Sequence, residues 1–190
     1  MIIWIASYPK SGNTYVRSFL SSYYYSKKGK FDFELLLNIK QFPALKYSSK
    51  KAYTYVDAAK NWIPNQKSFF KKDQYYFLKT HNSLEEYFGN KFTTSSETIG
   101  GIYIVRDPRN VLDSMSRHFQ IDHDKAIEVM QDKKNFTYDF KKKNDYSDYQ
   151  FISSWELNYQ SWKNNKLLPI KFFKYEDLLS ETFFSASFNI

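Results

Sequence analysis

Short apolar runs alternate with amphipathic stretches along the chain, beginning at its N-terminus. Residues 2–6 form a continuous β-branched apolar run, which predicts a buried strand. From Thr14 the apolar residues recur at i, i+3, i+4 and i+7, which predicts a helix that ends near Gly29. The polar turn PKSGNT separates the two, so the first unit is a strand, a loop and a helix.

Three later apolar runs also end in polar residues and predict strands. They are residues 75–81 (YYFLKTH), residues 102–105 (IYIV) and the beginning of IKFFKYEDLL, which runs into a polar turn. Asp107 is a good helix N-cap and Pro108 suits the first helical position, so a helix follows the run at 102–105.

Other segments predict helices or loops. FISSWELNYQSWKNN suits a helix that carries three large aromatic residues on one face and is broken by Pro169. Residues 31–70 are polar and aromatic and contain Pro43 and Pro64, so we expect short helices and loops there. Residues 122–150 are charged and poor in apolar residues, and DFKKKNDYSDY within them predicts an exposed loop or lid.

Strands that alternate with helices predict an α/β fold. We expect a three-layer, P-loop-like arrangement with a central, mainly parallel sheet flanked by helices, in a single domain over residues 1–190. Ligands of such sheets lie at the carboxyl ends of the strands. Candidate polar residues there, which should gather at one edge, are Lys10, Lys79, His81, Arg106 and Tyr175.

Composition narrows the class of protein. The 190 residues are 42% hydrophobic and 25% charged, which suits one globular domain. The absence of cysteine excludes disulfides and thiolate metal sites, and three histidines argue against a histidine-rich metal site. We see no signal peptide and no apolar stretch long enough to cross a membrane, so we expect a cytoplasmic protein.

The formal net charge of +8 fits either a solvated lysine-rich surface or a polyanionic ligand. Only four of the 28 Lys and Arg residues are arginines, and all four lie within residues 7–20 and 103–118. Because the guanidinium fork grips phosphate-like groups, this clustering favours a nucleotide as the ligand.

The loop PKSGNT is suited to an anion. A tight turn directs backbone N–H groups at a ligand, and the following helix adds the positive end of its dipole. Gly12 permits close approach of the backbone, Lys10 supplies a charge, and Ser11, Asn13 and Thr14 offer side-chain donors. By itself the loop also fits an ordinary capped corner between a strand and a helix.

Two further pairs extend this candidate site. Arg106 closes a strand and Ser114 lies about two turns into the next helix, so they can hold a second phosphate unless Arg106 pairs with a neighbouring aspartate. Lys79 and His81 are two residues apart, so in a strand they point to one side. A histidine near neutral pKa can act as a general base, although a single histidine is more often structural.

Together these motifs resemble the cytosolic-type sulfotransferase family. SYPKSGNTYVRSFL is similar to the family's 5′-phosphosulfate-binding loop, and YIVRDPRNVLDSMSRH to its 3′-phosphate-binding strand and helix. FLKTH resembles the strand with the catalytic histidine, and FFKYEDLL the segment that touches the adenine. The resemblance spans residues 1 to about 180.

The resemblance implies transfer of a sulfuryl group from 3′-phosphoadenosine 5′-phosphosulfate (PAPS) to a hydroxyl or amine, on a small-molecule or glycan acceptor. It implies no metal, no nucleic-acid partner and no membrane span, and it leaves the oligomeric state open. His81 would take the acceptor's proton, Lys79 would help to neutralise the sulfuryl group, and Lys10 would contact the bridging oxygen. The other implied donor-binding residues are Ser11, Gly12, Asn13 and Thr14 at the 5′-phosphate, Arg106 and Ser114 at the 3′-phosphate, and Tyr15 and Tyr175 near the adenine; Tyr15 stands where the family usually has a tryptophan.

The end of the chain departs from the family pattern. Family members continue past YEDLL with a basic Arg-Lys-Gly segment that grips the 3′-phosphate. This sequence ends in SETFFSASFNI, which has no basic residue and no clear helical pattern, so we interpret the domain as C-terminally short. Arg106 and Ser114 would then hold the 3′-phosphate with less help, and a truncated, inactive nucleotide-binding fragment is an alternative.

Two further readings compete with a sulfotransferase. A P-loop kinase or NTPase is disfavoured because Lys10 precedes Gly12 and the loop lacks the Gly-Lys-Ser/Thr ending. A nucleotide-binding or nucleic-acid-binding module would instead use the lysine- and tyrosine-rich surface.

Overall fold

A five-stranded parallel sheet forms the centre of the computed structural model, which describes residues 1–180. The strands within those residues are β1 (Ile2–Ser7), β2 (Lys40–Gln41), β3 (Tyr76–Thr80), β4 (Thr98–Val105), β5 (Phe136–Thr137), β6 (Gln150–Phe151) and β7 (Ile170–Lys174). The order across the sheet is β2-β3-β1-β4-β7, and β5 and β6 form a separate antiparallel pair.

Helices connect the strands and cover both faces of the sheet. They are α1 (Asn13–Tyr25), α2 (Tyr55–Phe69), α3 (Pro108–Phe119), α4 (His123–Gln131), α5 (Trp155–Lys163) and α6 (Tyr175–Leu178), with 3-10 helices at Phe33–Asn38 and Leu45–Tyr47. The predicted α/β fold with a mainly parallel sheet flanked by helices is therefore confirmed.

Side-chain alternation along β1 assigns the helices to the two faces of the sheet. Trp4 is fully buried in a cluster with Trp62 of α2 and Trp162 of α5. Ile5, the next residue, points to the opposite face and packs in the cluster that contains Val16 of α1. Because β1 is the middle strand and is buried on both faces, it reads as a continuous apolar run.

Close contact between β1 and β4 depends on a glycine. A Cβ atom at Gly101 would lie 2.9 Å from the carbonyl oxygen of Trp4 and 3.0 Å from its Cβ. No larger residue fits this position without moving one of the two strands, so GG in the sequence marks close packing within the sheet.

The predicted beginning of the chain is close to the observed one. The run at residues 2–6 is β1, and α1 follows the loop as expected. The expected end at Gly29 is wrong, because α1 ends at Tyr25 and Ser26 is already extended. Gly29 instead has a φ of 66° in the turn beyond the helix.

The prediction of only short helices and loops for residues 31–70 is wrong for α2. Thr54 and Asp57 form a reciprocal capping box at its start, and Ala58, Ala59 and Trp62 are buried on one face. Pro64 lies inside the helix. The burial of this apolar face outweighs the cost of proline, which by itself predicted a break.

Residues 122–150 contain more regular structure than their charge predicted. Helix α4 begins at Asp122, whose side chain accepts a hydrogen bond from the Lys125 N–H, and it buries Ala126 and Met130. The segment DFKKKNDYSDY does connect β5 to β6, but Tyr149 at its end is only 1% exposed. The prediction that SETFFSASFNI has no clear helical pattern concerns residues 180–190, and all of these except Ser180 lie outside the described residues.

Burial along β4 makes a direct test of this packing. We expect Ile104→Ala to lower the free energy of unfolding by about 2–5 kcal/mol, because Ile104 is fully buried against α1. Ile99→Ala, a matched change on the same strand at a residue that is 43% exposed, should cost less than about 1 kcal/mol. Urea unfolding of both variants measures the difference, and equal losses would contradict the difference in burial between the two positions.

Candidate functional site

A cleft of about 750 Å³ lies at the carboxyl ends of the central strands. It brings together ten of the eleven predicted site residues: Lys10, Gly12, Asn13, Thr14, Tyr15, Lys79, His81, Arg106, Ser114 and Tyr175. Ser11 is the exception, since its side chain is buried below the loop and does not line the cleft. Loops far apart in the sequence meet here because parallel strands end at one edge of the sheet.

The loop between β1 and α1 is wound to expose its amides. Lys10 and Gly12 both adopt left-handed conformations, with φ values of 66° and 93°. Within residues 1–180, the backbone N–H groups of Gly12, Asn13 and Thr14 have no hydrogen-bond acceptor. Three free amides at the start of a helix, with no acidic residue in its first turn, form an anion-binding arrangement.

The side chain of Asn13 has a different use from the one predicted. Its Nδ2 donates to the carbonyl oxygen of Ile5 at 2.9 Å and to the hydroxyl of Ser7 at 3.2 Å. The side chain therefore ties the loop to the end of β1, and only the backbone N–H of Asn13 remains for a ligand.

Arg106 and Tyr175 hold the loop from the other side. A guanidinium N–H of Arg106 donates to the carbonyl of Lys10 at 2.9 Å, and the guanidinium lies 4.7 Å from the centre of the Tyr175 ring. That ring packs directly on Gly12, where an added Cβ would overlap it. The Nε of Arg106 is buried and has no partner among residues 1–180, as is also true of the Ser11 hydroxyl.

The other arginines have separate structural or surface positions. Arg17 donates to the carbonyl oxygens of Leu36 and Ile39, at 3.0 and 2.7 Å, and so ties α1 to the 3-10 helix. Arg109 pairs with Asp107 at 2.5 Å on the surface. Of the four clustered arginines, only Arg106 lines the cleft within the described residues. Arg106 also forms no ion pair with an aspartate in that part of the chain.

His81 directly follows β3, and its ring orientation is set by a backbone carbonyl. Its Nδ1 lies 2.6 Å from the carbonyl oxygen of Ser7. Because a carbonyl oxygen only accepts, Nδ1 carries the proton and Nε2 keeps its lone pair. Burial, reinforced by the charge of Lys79, lowers the pKa of His81 to about 3, so the imidazole is neutral at pH 7.

Lys79 is on the same side as His81, as the spacing predicted. Its Nζ donates to the side-chain oxygen of Gln41 at 3.1 Å. Burial, with a contribution from Arg17, lowers the pKa of Lys79 to about 8, and burial followed by Arg106 lowers that of Lys10.

The cleft has an excess of positive charge. Of the described residues that line it, none is Asp or Glu, whereas Lys10, Lys79 and Arg106 are all present. Cations that lack a carboxylate partner are stabilised by an anionic ligand with several charges. The charge of the cleft therefore suits a polyanionic ligand.

The far wall of the cleft is apolar and aromatic. It comprises side chains of α3, α4 and the β5–β6 region, namely Met115, Phe119, Val129, Phe136, Phe140 and Ile152. These residues line the same cleft as His81, and Phe140 is 69% exposed.

Four amide side chains in or beside the site were not predicted: Gln41, Asn135, Gln150 and Asn158. Gln150 accepts a hydrogen bond from the His81 N–H, and Asn158 donates to the His81 carbonyl. One signal for Asn158 was present in the sequence, because it lies on the aromatic face of the predicted helix, next to Tyr159. A polar residue on such a face indicates a buried hydrogen-bonding role.

Neither a metal-binding cluster nor a membrane-spanning helix is present in residues 1–180. Residues 1–180 contain no group of three or more His, Cys, Asp or Glu side chains that could hold a metal ion. No helix in that part of the chain is long and apolar enough to cross a membrane.

Comparison with known proteins identifies a domain family over nearly the whole chain. The model of the sulfotransferase domain family matches residues 2–186. No curated protein sequence matches the chain.

Solved structures with a similar fold include two kinds of protein. Mouse sulfotransferase SULT7A1 complexed with PAP is 15% identical with a TM-score of 0.51, and the match covers 97% of this chain and 55% of that one. Retinol dehydratase with androsterone and inactive cofactor PAP is 16% identical with a TM-score of 0.53, covering 95% and 56%. A second structure of retinol dehydratase, in a complex with retinol and PAP, is 15% identical with a TM-score of 0.53, and the match covers 95% of this chain and 56% of that one. The chain spans about half the length of these proteins, and at such identity the likeness shows the fold alone.

Gly12 provides a test of the contact between the loop and Tyr175. Gly12→Ala and Gly89→Ala both place alanine at a positive φ, 93° and 72°, which costs about 1–2 kcal/mol. Only Gly12→Ala also overlaps a ring, so we expect it to cost about 1–3 kcal/mol more in urea unfolding. A double-mutant cycle with Tyr175→Ala should show that this extra cost depends on the ring; additive losses would contradict the contact.

The low pKa of His81 predicts a pH-dependent stability. The unfolded chain takes up a proton near pH 6.5 and the folded chain only near pH 3, so the unfolded state binds more protons between these values. Stability should therefore fall as the pH falls through this window, by at most about 1.4 kcal/mol per pH unit from this group. His81→Asn keeps an amide donor for Ser7 but does not titrate, and its unfolding free energy should lose this component of the slope. Parallel curves for the two proteins from pH 7 to pH 5 would contradict a depressed pKa.

Proposed function

The chain belongs to the sulfotransferase family, and on that premise we propose that its cleft binds PAPS and transfers the sulfuryl group to a hydroxyl or amine acceptor. The observation that carries the proposal is a cleft with Lys10, Lys79 and Arg106, three free loop amides and a neutral histidine, and no lining carboxylate among the described residues. The similar solved structures are complexes with PAP, called the inactive cofactor in one of them.

The residues present fit a donor of this chemistry. The free N–H groups of Gly12, Asn13 and Thr14 suit its 5′-phosphate, and Lys10 directly precedes them. Arg106 and Ser114 line the same cleft and suit the 3′-phosphate, and the Arg106 Nε still lacks a partner within residues 1–180. The rings of Tyr15 and Tyr175, whose centres are 6.1 Å apart, suit the adenine.

PAPS, when bound, supplies the sulfuryl group together with a phosphate leaving group. Lys10 and Lys79 neutralise the negative charge that develops at the transferred group and the leaving oxygen, and the loop amides share in this stabilisation. His81 accepts the acceptor's proton at Nε2, since its Nδ1 proton is held by Ser7. Its low pKa in the cationic cleft rises when negative charge is present, which strengthens it as a base.

The apolar wall favours an acceptor with a hydrophobic or aromatic body. Phe136, Phe140 and Ile152 offer it contact area, and His81 meets its hydroxyl or amine. Retinol dehydratase, one of the proteins with a similar fold, is complexed with androsterone in one structure and with retinol in another. A small molecule of this kind is the acceptor we propose, with a glycan as the second possibility. The cytoplasmic location and the absence of a nucleic-acid partner stay predictions.

Two substitutions separate the proposed roles. His81→Asn should lower turnover by roughly 10²–10⁴-fold with little change in PAP affinity, because a general base acts on the acceptor and not on the donor. Lys10→Met should weaken PAP binding, and Lys60→Met, a matched change at an exposed lysine of α2, should not. Isothermal calorimetry with PAP and a labelled-PAPS assay against phenols, amines and glycans measure both effects.

The outcomes distinguish the competing functions. Small, equal effects of His81→Asn on turnover and on PAP affinity would contradict a general base. Absence of PAP binding at millimolar concentration would favour an inactive fragment, and magnesium-dependent ATP hydrolysis would favour a kinase or NTPase. Salt-sensitive binding to single-stranded nucleic acid that survives Lys10→Met would favour a nucleic-acid-binding module.

A further inference from the structure

His81 lies outside the hydrogen-bond ladder of the sheet. Strand β3 ends at Thr80, so neither backbone polar group of His81 is paired with a neighbouring strand. The residue is nevertheless half-buried, and buried backbone groups without partners are costly. The partners come instead from the segment that runs from β6 into α5.

Two buried amide side chains hold the backbone of His81 from both sides. The His81 N–H donates to the side-chain oxygen of Gln150 at 2.9 Å, and the His81 carbonyl accepts from Asn158 Nδ2 at 3.0 Å. Gln150 is 2% exposed and Asn158 is fully buried.

Asn158 is itself fixed by contacts to two other parts of the fold. Its Oδ1 accepts from the hydroxyl of Tyr103 in β4 at 2.8 Å, and its Nδ2 also donates to the carbonyl of Ile152 at 2.7 Å. Tyr103 is 1% exposed. The amide thus connects a central strand of the sheet with the backbone of His81, and it has one possible orientation because each of its atoms has a matching partner.

Asn82, the residue after His81, is also hydrogen-bonded to the segment that contains β6 and α5, which further restricts the backbone of His81. Asn82 Oδ1 accepts from the Phe151 N–H at 2.9 Å, the Phe151 carbonyl accepts from the Ser83 N–H at 2.8 Å, and the Asn82 carbonyl accepts from Trp162 Nε1 at 3.0 Å. Residues 81–83 are therefore joined to residues 150–162 at several points.

We infer that Gln150 and Asn158 are positioning residues that fix the place and tautomer of His81, an inference that rests on the proposed sulfuryl transfer. Neither side chain is the base. By holding the backbone on both sides, they keep the ring where its Nδ1–H reaches the Ser7 carbonyl and Nε2 remains free. The 2.6 Å bond to Ser7 is sensitive to small shifts, because hydrogen bonds weaken steeply with distance and angle.

A pair of substitutions at Gln150 tests this role. Gln150→Leu removes the acceptor of the His81 N–H, and we expect turnover to fall by up to about 10²-fold, the effect of a small misplacement of a reacting group. PAP affinity should change less than twofold, because the hydrogen bond that Gln150 makes within residues 1–180 joins it to His81 and not to the loop. Gln150→Glu retains an acceptor oxygen for the His81 N–H and should restore the Nδ1–H tautomer, whereas its carboxylate, which would line the cleft, should weaken PAP binding.

Nitrogen NMR of the imidazole provides a readout that does not depend on activity. With three histidines in the chain, His81 is assigned by its loss in His81→Asn. We expect the Nδ1–H tautomer in the wild-type protein, a mixture of tautomers in Gln150→Leu, and a return to Nδ1–H in Gln150→Glu. Gln131→Leu, a matched change at the exposed end of α4, should leave spectrum and turnover unaltered.

Asn158→Asp serves as the second variant, including the case in which Gln150→Leu does not fold. It keeps an acceptor for Tyr103 but loses both donated hydrogen bonds, so it should also mix the tautomers. An unchanged tautomer and turnover in both variants, or a loss of turnover matched by an equal loss of PAP affinity, would overturn the inference. A wild-type protein that shows the Nδ1–H tautomer but neither binds PAP nor transfers sulfate would refute the proposed function and leave the positioning of the ring established.

Discussion

The hydrogen bonds at the carboxyl end of β1 are the constraint on which both halves of the site depend. The carbonyl of Ser7 accepts a hydrogen bond from Nδ1 of His81. The Ser7 hydroxyl and the Ile5 carbonyl accept hydrogen bonds from Nδ2 of Asn13, at the end of the loop between β1 and α1. One short stretch of backbone therefore sets the distance between the anion-binding amides and the neutral base. Because β1 is the middle strand and is buried on both faces, this end of it has little freedom to move.

The electrostatics of the cleft follow from what surrounds that stretch. Lys10, Lys79 and Arg106 are brought together with no carboxylate among the described lining residues, and burial, followed by the charges of neighbouring cations, lowers the pKa values of Lys10, Lys79 and His81. An anionic ligand with several charges would stabilise these cations, which is why the proposed donor is a polyanion. Burial, reinforced by the charge of Lys79, keeps the imidazole of His81 in its neutral form, which is the form a base requires.

Contacts in the loop also explain why Arg106 and Tyr175 have a double role. In the structure they brace the loop, through the Lys10 carbonyl and through the face of Gly12, and both line the cleft. If these two side chains also bind the proposed donor, the site is partly organised before the donor arrives, which reduces the ordering cost of binding.

Local patterns in the sequence determined four strands of the central sheet (β1, β3, β4 and β7), the loop after β1 and the residues that carry charge, but not the two-residue strands β2, β5 and β6. The apolar run of β1, the N-cap at Asp107 and the position of Lys10 before Gly12 are readable because each depends on neighbours within a few residues. Parallel connections then place Lys10, His81, Arg106 and Tyr175 at one edge, so most of the candidate site could be predicted. Helix α2 could not, since the packing of Trp62 and its neighbours against the sheet overrides the local effect of Pro64.

Only the tertiary structure decided how those residues are used. Asn13 turns inward to β1, Arg17 binds carbonyls and not a ligand, and Gln150 and Asn158 hold a histidine that precedes them by about seventy residues. Such hydrogen bonds join positions far apart in the chain, and nothing in the local sequence marks which amide will meet which carbonyl. The physical reason is that a buried polar group must find a partner wherever the fold provides one, and the partner is fixed by packing and not by sequence distance.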